Sequence, residues 1–124
     1  MVKYLRERWS SIRNGFRGWG YGMRTQQNAR IHAVVTTLVL IVGLWVGLPA
    51  RDWAIIILTA ATVFAAEFLN TAIEVVVDLV SPEEHPLAKA AKDVGAAAVL
   101  IGALAAILIG VLILGPPLLS KLNG

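Results

Sequence analysis

Cysteine is absent from this chain of 124 residues, and histidine occurs only twice, as His32 and His85. Without cysteine the chain can form no disulfide, no thiolate metal site and no cysteine nucleophile. Two histidines cannot build a metal site by themselves. Any bound metal must therefore rely on carboxylate and amide oxygens, which suits a hard cation such as Mg²⁺.

Charged residues are also scarce, at 15% of the chain, whereas 57% of the residues are hydrophobic and the mean hydropathy is +0.72. A soluble domain of this size does not normally carry so much apolar surface. The length suits one domain, residues 1–124. We therefore predict an all-α membrane protein with transmembrane helices at about 31–49, 53–80 and 88–114.

Turn signals define the ends of these predicted spans. Residues 47–52 form the first turn, and Asp52 is the expected N-cap of the second span. Pro82 is expected to stop that span, and Gly115 with the two following prolines is expected to end the third.

The N-terminal region is rich in basic and aromatic residues. Residues 1–30 contain seven lysines and arginines against one acid, Glu7. Next to membrane spans this composition indicates a surface helix among anionic headgroups rather than a nucleic-acid interface. Four glycines between residues 15 and 22 predict that this helix frays or bends in its second half. The apolar run begins too late, and lacks the cleavage site, for a cleavable signal peptide.

The distribution of basic residues predicts the orientation. Nine lysines and arginines lie in the N-terminal segment and in the loop of residues 81–93, against two, Arg51 and Lys121, on the other side. The positive-inside rule then places the N-terminus and this loop in the cytoplasm, as expected of a multi-pass inner-membrane protein.

Polar residues interrupt the second predicted span at helical spacing. Glu67, Asn70, Glu74 and Asp78 fall within an arc of about 80° on one helix face, and Thr71 joins them. Each charged side chain at the centre of a span costs roughly 2.5–3.5 kcal/mol on insertion scales. A metal ion, a proton relay or a catalytic site would explain such a stripe.

Phosphoryl transfer is one chemistry that this stripe can support. It needs a divalent metal, cations that hold phosphates and a base for the attacking hydroxyl. Glu74 can supply a metal ligand, Lys92 and the N-terminal arginines can hold phosphates, and Glu67, the deepest carboxylate, can act as the base with Asn70 beside it.

Other interpretations of these residues remain open at this point. Asp78 and Lys92 can be interfacial charges that only tie a loop down, and residues 83–85 can be a solvated turn. His32 can face water at the interface. Glu67 and Glu74 can serve assembly alone, and a proton- or ion-translocating subunit also places carboxylates within its helices.

Three segments resemble the prokaryotic diacylglycerol kinase family. Residues 66–78 resemble its signature E-x-x-N-[ST]-A-I-E-x-x-x-D, and residues 85–99 resemble its second segment, H-x-x-x-x-x-A-K-D-x-[GA]-x-[AG]-A-V. Residues 26–32 are similar to the pattern [EQ]-x-N-x-R-I-H of the undecaprenol kinase branch. The similarity covers roughly residues 10–112, nearly the whole chain.

The resemblance implies a small membrane kinase with three spans and an N-terminal surface helix, assembled as a homotrimer with active sites between subunits. Such enzymes transfer the γ-phosphate of MgATP to a lipid primary hydroxyl. By matching position, Glu67 would be the general base, Asn70 would support it, and Glu74 would bind the metal. The resemblance further implies nucleotide contacts at Asn14, Arg17, Glu83, Glu84, His85, Lys92 and Asp93, with Arg13 in the same N-terminal segment.

Two positions depart from the diacylglycerol-specific branch. Gln26 stands where that branch has a glutamate that helps to bind the metal, so it keeps an oxygen ligand but loses the charge. Ala96 stands where that branch has serine. Together with the segment around His32, Gln26 favours undecaprenol as the substrate, with diacylglycerol as the alternative and a non-enzymatic membrane subunit as the alternative of another class.

Overall fold

The computed structural model describes all 124 residues and is all-helical, as predicted. The four helices are α1 (Val2–Thr25), α2 (Gln27–Val46), α3 (Ala50–Val80) and α4 (Pro86–Asn123). Helices α2, α3 and α4 are each long and apolar enough to cross a membrane. At 1.5 Å per residue they measure about 30, 46 and 57 Å, so each reaches across a hydrocarbon core of about 30 Å.

The interior of the single chain is small. Helices α3 and α4 form the most extensive helix pair, α2 packs against both, and α1 contacts α2 and α3. Only 10 of 124 residues are buried, and the accessible surface is 9207 Å². A compact soluble protein of this mass would expose roughly 6,500 Å². The exposed apolar faces of the three long helices are therefore suited to lipid or to other protein surfaces rather than to water.

The two helix boundaries that flank the first turn lie close to those predicted. Helix α2 ends at Val46, and Gly47 takes the left-handed conformation (φ 75°) that glycine adopts without strain. Helix α3 begins at Ala50 rather than at Trp53, so the prediction of Asp52 as N-cap is wrong. Pro49 is the N-cap, because its carbonyl already accepts the backbone N–H of Asp52 and of Trp53.

The predicted end of the third span at Leu114 is wrong, because α4 continues through Pro116 and Pro117 to Asn123. Proline fixes φ near the helical value, so the helical backbone can continue through both prolines, although each removes a hydrogen bond and its ring crowds the carbonyl four residues earlier. Beyond the prolines, the ammonium of Lys121 lies 5.9 Å from the ring centroid of Trp45 on α2. This cation–π contact joins the extension to the bundle.

The glycines of α1 do not break it, contrary to the expectation from sequence. Trp19 contacts two rings of α3, with centroids 6.0 Å from Phe64 and 5.8 Å from Phe68. A Cβ at Gly22 would lie 2.6 Å from Phe68 Cε1, so only glycine permits this approach. The docking offsets the low helix propensity of glycine. A single extended residue, Gln26 (φ −106°, ψ 118°), separates α1 from α2.

Candidate active site

The polar stripe of α3 points into the bundle. Glu67, Asn70 and Thr71 are all buried, and Glu67 has only 1% of its surface exposed. The hydroxyl of Thr71 donates to the carbonyl of Glu67 (2.9 Å), and Asn70 Nδ2 donates to Glu74 Oε1 (2.9 Å). The helical spacing predicts that four residues share this face, and they differ in burial. Glu67 and Asn70 are buried, Glu74 is half-buried and Asp78 is exposed.

Two buried oxygen atoms of this stripe receive no hydrogen bond. They are Glu67 Oε2 and Asn70 Oδ1. A buried acceptor without a donor costs about 1–3 kcal/mol, and more when it is charged. In a native protein such a group calls for an explanation, and a catalytic role is one of those known.

A groove of about 330 Å³ is lined by Asn70, one helical turn from Glu67. Asn28, His32, Asn70 and Glu74 line it with polar groups, and its other lining residues are apolar and come mainly from α4 (Ile31, Ala96, Val99, Leu100, Ala103). The groove thus has polar and apolar walls side by side. This arrangement suits an amphiphile with a polar end and a hydrocarbon chain.

A second, larger cleft of about 730 Å³ lies between the end of α3, the loop of residues 81–85 and the start of α4. Lys92 Nζ donates to Asp78 Oδ1 across its floor (2.5 Å), joining α3 to α4. Glu83, Glu84 and His85 line the cleft as well. The loop is polar and exposed, so this cleft can receive a water-soluble ligand.

Some predicted nucleotide contacts are engaged within the chain. The backbone N–H of Leu87 donates to His85 Nδ1 (3.1 Å), so His85 caps α4 and keeps Nε2 free. Lys89 Nζ donates to Asp93 Oδ2 (2.6 Å), in an exposed pair one helical turn apart. Both lysine pairs are partly or largely exposed, so exchange with phosphate oxygens costs little.

The structure does not bring every predicted site residue together. Asn14 and Arg17 are exposed on α1 and line neither the groove nor the cleft. Gln26 is half-buried at the junction of α1 and α2 and also lies outside both. Within one chain these three side chains form no hydrogen bond or ion pair with the residues of the polar stripe.

The α2 side of the groove is formed by two polar residues that were not among the predicted site residues. Asn28 and His32 line it together, and the ring of His32 stands edge-on to Phe64 with centroids 6.4 Å apart. Their i, i+4 spacing was the available signal, since it places two polar side chains on one face of an otherwise apolar helix. We interpreted His32 as facing water, and the structure shows it half-buried.

The oxygen donors can be tested against the requirements of a metal. No group of three or more acidic or histidine side chains converges in the chain. Mg²⁺ does not need such a cage, because it keeps several waters and is commonly held by one or two carboxylates together with substrate phosphates. The half-buried carboxylate of Glu74, held by Asn70 at the edge of the groove, fits that pattern.

Comparison with known proteins identifies the class. The sequence model of the family described as "Prokaryotic diacylglycerol kinase" matches residues 13–114. The chain belongs to this family and is a membrane lipid kinase, which confirms the resemblance stated from the motifs. The match covers α2, α3 and most of α1 and α4, and so includes the groove and the cleft.

Individual relatives carry two different names. The chain is 47% identical over 95 residues to the undecaprenol kinase of Bacillus subtilis, covering 77% of each protein. It is 44% identical over 111 residues to a diacylglycerol kinase of Synechocystis sp., covering 89% of this chain but 63% of that protein. To the diacylglycerol kinase of Escherichia coli it is 37% identical over 79 residues, covering 64% of this chain and 65% of that protein.

Proposed function

We propose that the protein transfers the γ-phosphate of ATP to the hydroxyl of undecaprenol, giving undecaprenyl phosphate. The proposal is supported by two buried oxygens that lack a donor one helical turn apart, Glu67 Oε2 and Asn70 Oδ1, together with a groove that Asn70 lines and that has polar and apolar walls. An alcohol at the end of a lipid chain fits these features, because its O–H can donate to the carboxylate of Glu67 while its hydrocarbon chain lies on the apolar wall of the groove.

Glu67 is the general base in this proposal. The acceptor hydroxyl loses its proton to Glu67 Oε2, a buried carboxylate oxygen without another partner, as the hydroxyl oxygen bonds to the γ-phosphorus of ATP. The bond from that phosphorus to the β–γ bridging oxygen breaks, and ADP leaves. Asn70 supports the base from the next turn, and its amide also orients the carboxylate of Glu74. Glu67 and Asn70 are thus the proposed catalytic pair.

Glu74, with Gln26, is proposed to hold Mg²⁺. When bound, the metal would neutralise phosphate oxygens. The amide oxygen of Gln26 is a neutral ligand, so Glu74 contributes the only carboxylate of the pair. Gln26 is the single extended residue between α1 and α2 and does not itself line the groove, so its part as a ligand rests on the family resemblance.

The cleft beside the loop is the proposed nucleotide site. Lys92 would exchange its bond to Asp78 for phosphate oxygens, since both side chains are substantially exposed. Asp93, Glu83, Glu84 and His85 would contact the ribose and the base. Asn14 and Arg17 of α1 are proposed to approach the nucleotide as well, and a homotrimer would allow them to do so from a neighbouring subunit.

The choice of undecaprenol rests on sequence. The Bacillus relative is named for that substrate, and the segment of residues 26–32 follows the pattern of the same branch. The alternative acceptor is diacylglycerol, after which the Synechocystis and Escherichia relatives are named. Membership of a kinase family argues against a non-enzymatic subunit or ion pathway.

A direct comparison of acceptors tests the proposal. Purified protein in detergent micelles is given labelled ATP, Mg²⁺ and either undecaprenol or diacylglycerol at equal mole fraction. We expect transfer of label to undecaprenol to be faster. Faster transfer to diacylglycerol would reverse the substrate assignment, and transfer to neither by intact helical protein would contradict the proposed function.

A further inference from the structure

A glycine brings the backbone of α4 close to the polar stripe of α3. Gly95 is buried where α4 crosses the face of α3 that carries Asn70. A Cβ built on Gly95 would clash with Asn70 Oδ1, and its next neighbours would be Asn70 Cγ at 3.3 Å and Ile73 Cδ1 at 3.8 Å. The Asn70 amide therefore occupies the space that any other residue at position 95 would fill.

The position of that amide matters for the site. Asn70 Nδ2 donates to Glu74 Oε1, while Asn70 Oδ1, the atom against Gly95, has no hydrogen-bond partner. The backbone of α4 thus limits the side-chain conformations that Asn70 can adopt. Other conformations would turn Nδ2 away from Glu74.

We propose that Gly95 is a positioning residue of the active site, which acts by leaving room for the Asn70 amide and so fixes the Asn70–Glu74 hydrogen bond. The inference rests on the proposed roles of Asn70 and Glu74. A methyl group at position 95 meets the end of a side chain rather than backbone, so Asn70 can swing aside and the helices can stay packed. We therefore expect Gly95→Ala to misplace the Asn70 amide without unfolding the protein.

The chain offers a matched control on the same helix. Gly102 lies two turns further along the same face of α4, where a Cβ would meet only Val63 Cγ2 at an ordinary 3.8 Å. Gly95→Ala and Gly102→Ala make the same chemical change in the same helix pair. Only the first intrudes on the acidic stripe.

The kinetic test compares these two variants in the wild-type and Asn70→Ala backgrounds. Gly95→Ala should lower kcat at least about tenfold, because small misplacements of reacting groups are costly, and Gly102→Ala should stay within about twofold. In Asn70→Ala the amide is absent, so adding Gly95→Ala should cause no further loss. An unchanged rate in Gly95→Ala, or an equal loss in both backgrounds, would overturn the proposal.

A spectroscopic measurement tests the same contact without activity. The chain has four asparagines, so the ¹⁵N side-chain amide signal of Asn70 can be assigned by its disappearance in Asn70→Ala. In micelles, Gly95→Ala should shift that signal and Gly102→Ala should not. An unmoved signal would overturn the positioning role. If the wild-type protein phosphorylated neither lipid while the signal shifted as expected, only the proposed function would fail.

Discussion

At the scale of single residues, the site is defined by unequal burial of chemically similar groups. Glu67 is nearly inaccessible and has one oxygen without a donor, whereas Glu74 is half-buried and receives the Asn70 amide. Asp78 is exposed and pairs with Lys92. One helix face thus presents three kinds of group at successive depths. The desolvated carboxylate of Glu67 suits a base, the hydrogen-bonded carboxylate of Glu74 suits a metal ligand, and the exposed ion pair of Asp78 suits contact with a soluble ligand.

Replacing the proposed base should separate chemistry from nucleotide binding. Glu67→Gln keeps the shape of the side chain but cannot accept the hydroxyl proton, so turnover should fall at least about 100-fold. ATP binding should persist, because Glu67 does not line the nucleotide cleft. Phosphate transfer and equilibrium ATP binding are measured on the same preparation, with Glu7→Gln on the exposed α1 as control. Retention of most of the rate would contradict the assignment.

Replacing the proposed metal ligand should change the metal requirement. Glu74→Gln retains an oxygen that can accept the Asn70 amide but loses the charge that attracts Mg²⁺. The Mg²⁺ concentration for half-maximal rate should rise at least about tenfold, because mutation of groups around a metal site commonly weakens metal affinity by that factor or more. It is measured by Mg²⁺ titration at saturating ATP. A titration curve that matches the wild type would argue against Glu74 as a ligand.

At the scale of secondary-structure elements, the docking of α1 is the feature that local propensity does not account for. The helix carries four glycines, yet it is continuous, because Trp19 packs on Phe64 and Phe68 and Gly22 lets the backbone approach Phe68. Gly18, by contrast, has nothing within 4 Å of where its Cβ would be. The two glycines therefore have different structural roles one turn apart.

A matched pair of leucine substitutions tests this difference. Gly18→Leu should stabilise α1 by about 0.8 kcal/mol through helix propensity alone, whereas Gly22→Leu should push α1 away from Phe68. Trypsin cleavage within α1, at Arg17 or Arg24, should become faster in Gly22→Leu and slower or unchanged in Gly18→Leu. Equal changes in both variants would show that the approach of Gly22 to Phe68 does not hold α1 in place.

At the scale of the whole molecule, the single chain leaves many large apolar side chains exposed and keeps three of the proposed site residues outside both pockets. The long helices α2, α3 and α4 expose apolar side chains along their length. Asn14, Arg17 and Gln26 lie outside the groove and the cleft of the chain that carries them. The family resemblance implies a trimer in a membrane. Such an assembly would cover the apolar faces with lipid and protein and could bring the three residues to the site of a neighbouring subunit.

The proposed orientation can be measured directly, because the chain has no cysteine of its own. Single cysteines are placed at Ser11, Ala50 and Ser81, which lie in α1, at the start of α3 and in the loop after α3. In intact spheroplasts an impermeant maleimide should label Ala50→Cys alone, and permeabilisation should expose the other two. Labelling of Ser81→Cys before permeabilisation would reverse the assignment of the cytoplasmic face.

The sequence by itself determined the class of fold and the face of α3 that carries the candidate site residues. Apolar runs of membrane length predict helices whatever their partners, and the spacing of residues 67–78 places polar groups on one side of a helix. The length of the apolar runs and the helical spacing of the polar residues can both be read directly from neighbouring positions in the sequence. The family motifs depend on the same local strings, and the match over residues 13–114 confirmed them.

Only the tertiary structure decided what those polar groups contact. The fit of Asn70 against Gly95, the pairing of Lys92 with Asp78 and the docking of Gly22 on Phe68 each join different helices. The continuation of α4 past Pro117 likewise lies beyond local rules, since the two prolines predict a stop but the helix continues to Lys121, which contacts Trp45 of α2. Contacts between helices depend on crossing angle and close packing, which no single helical period encodes.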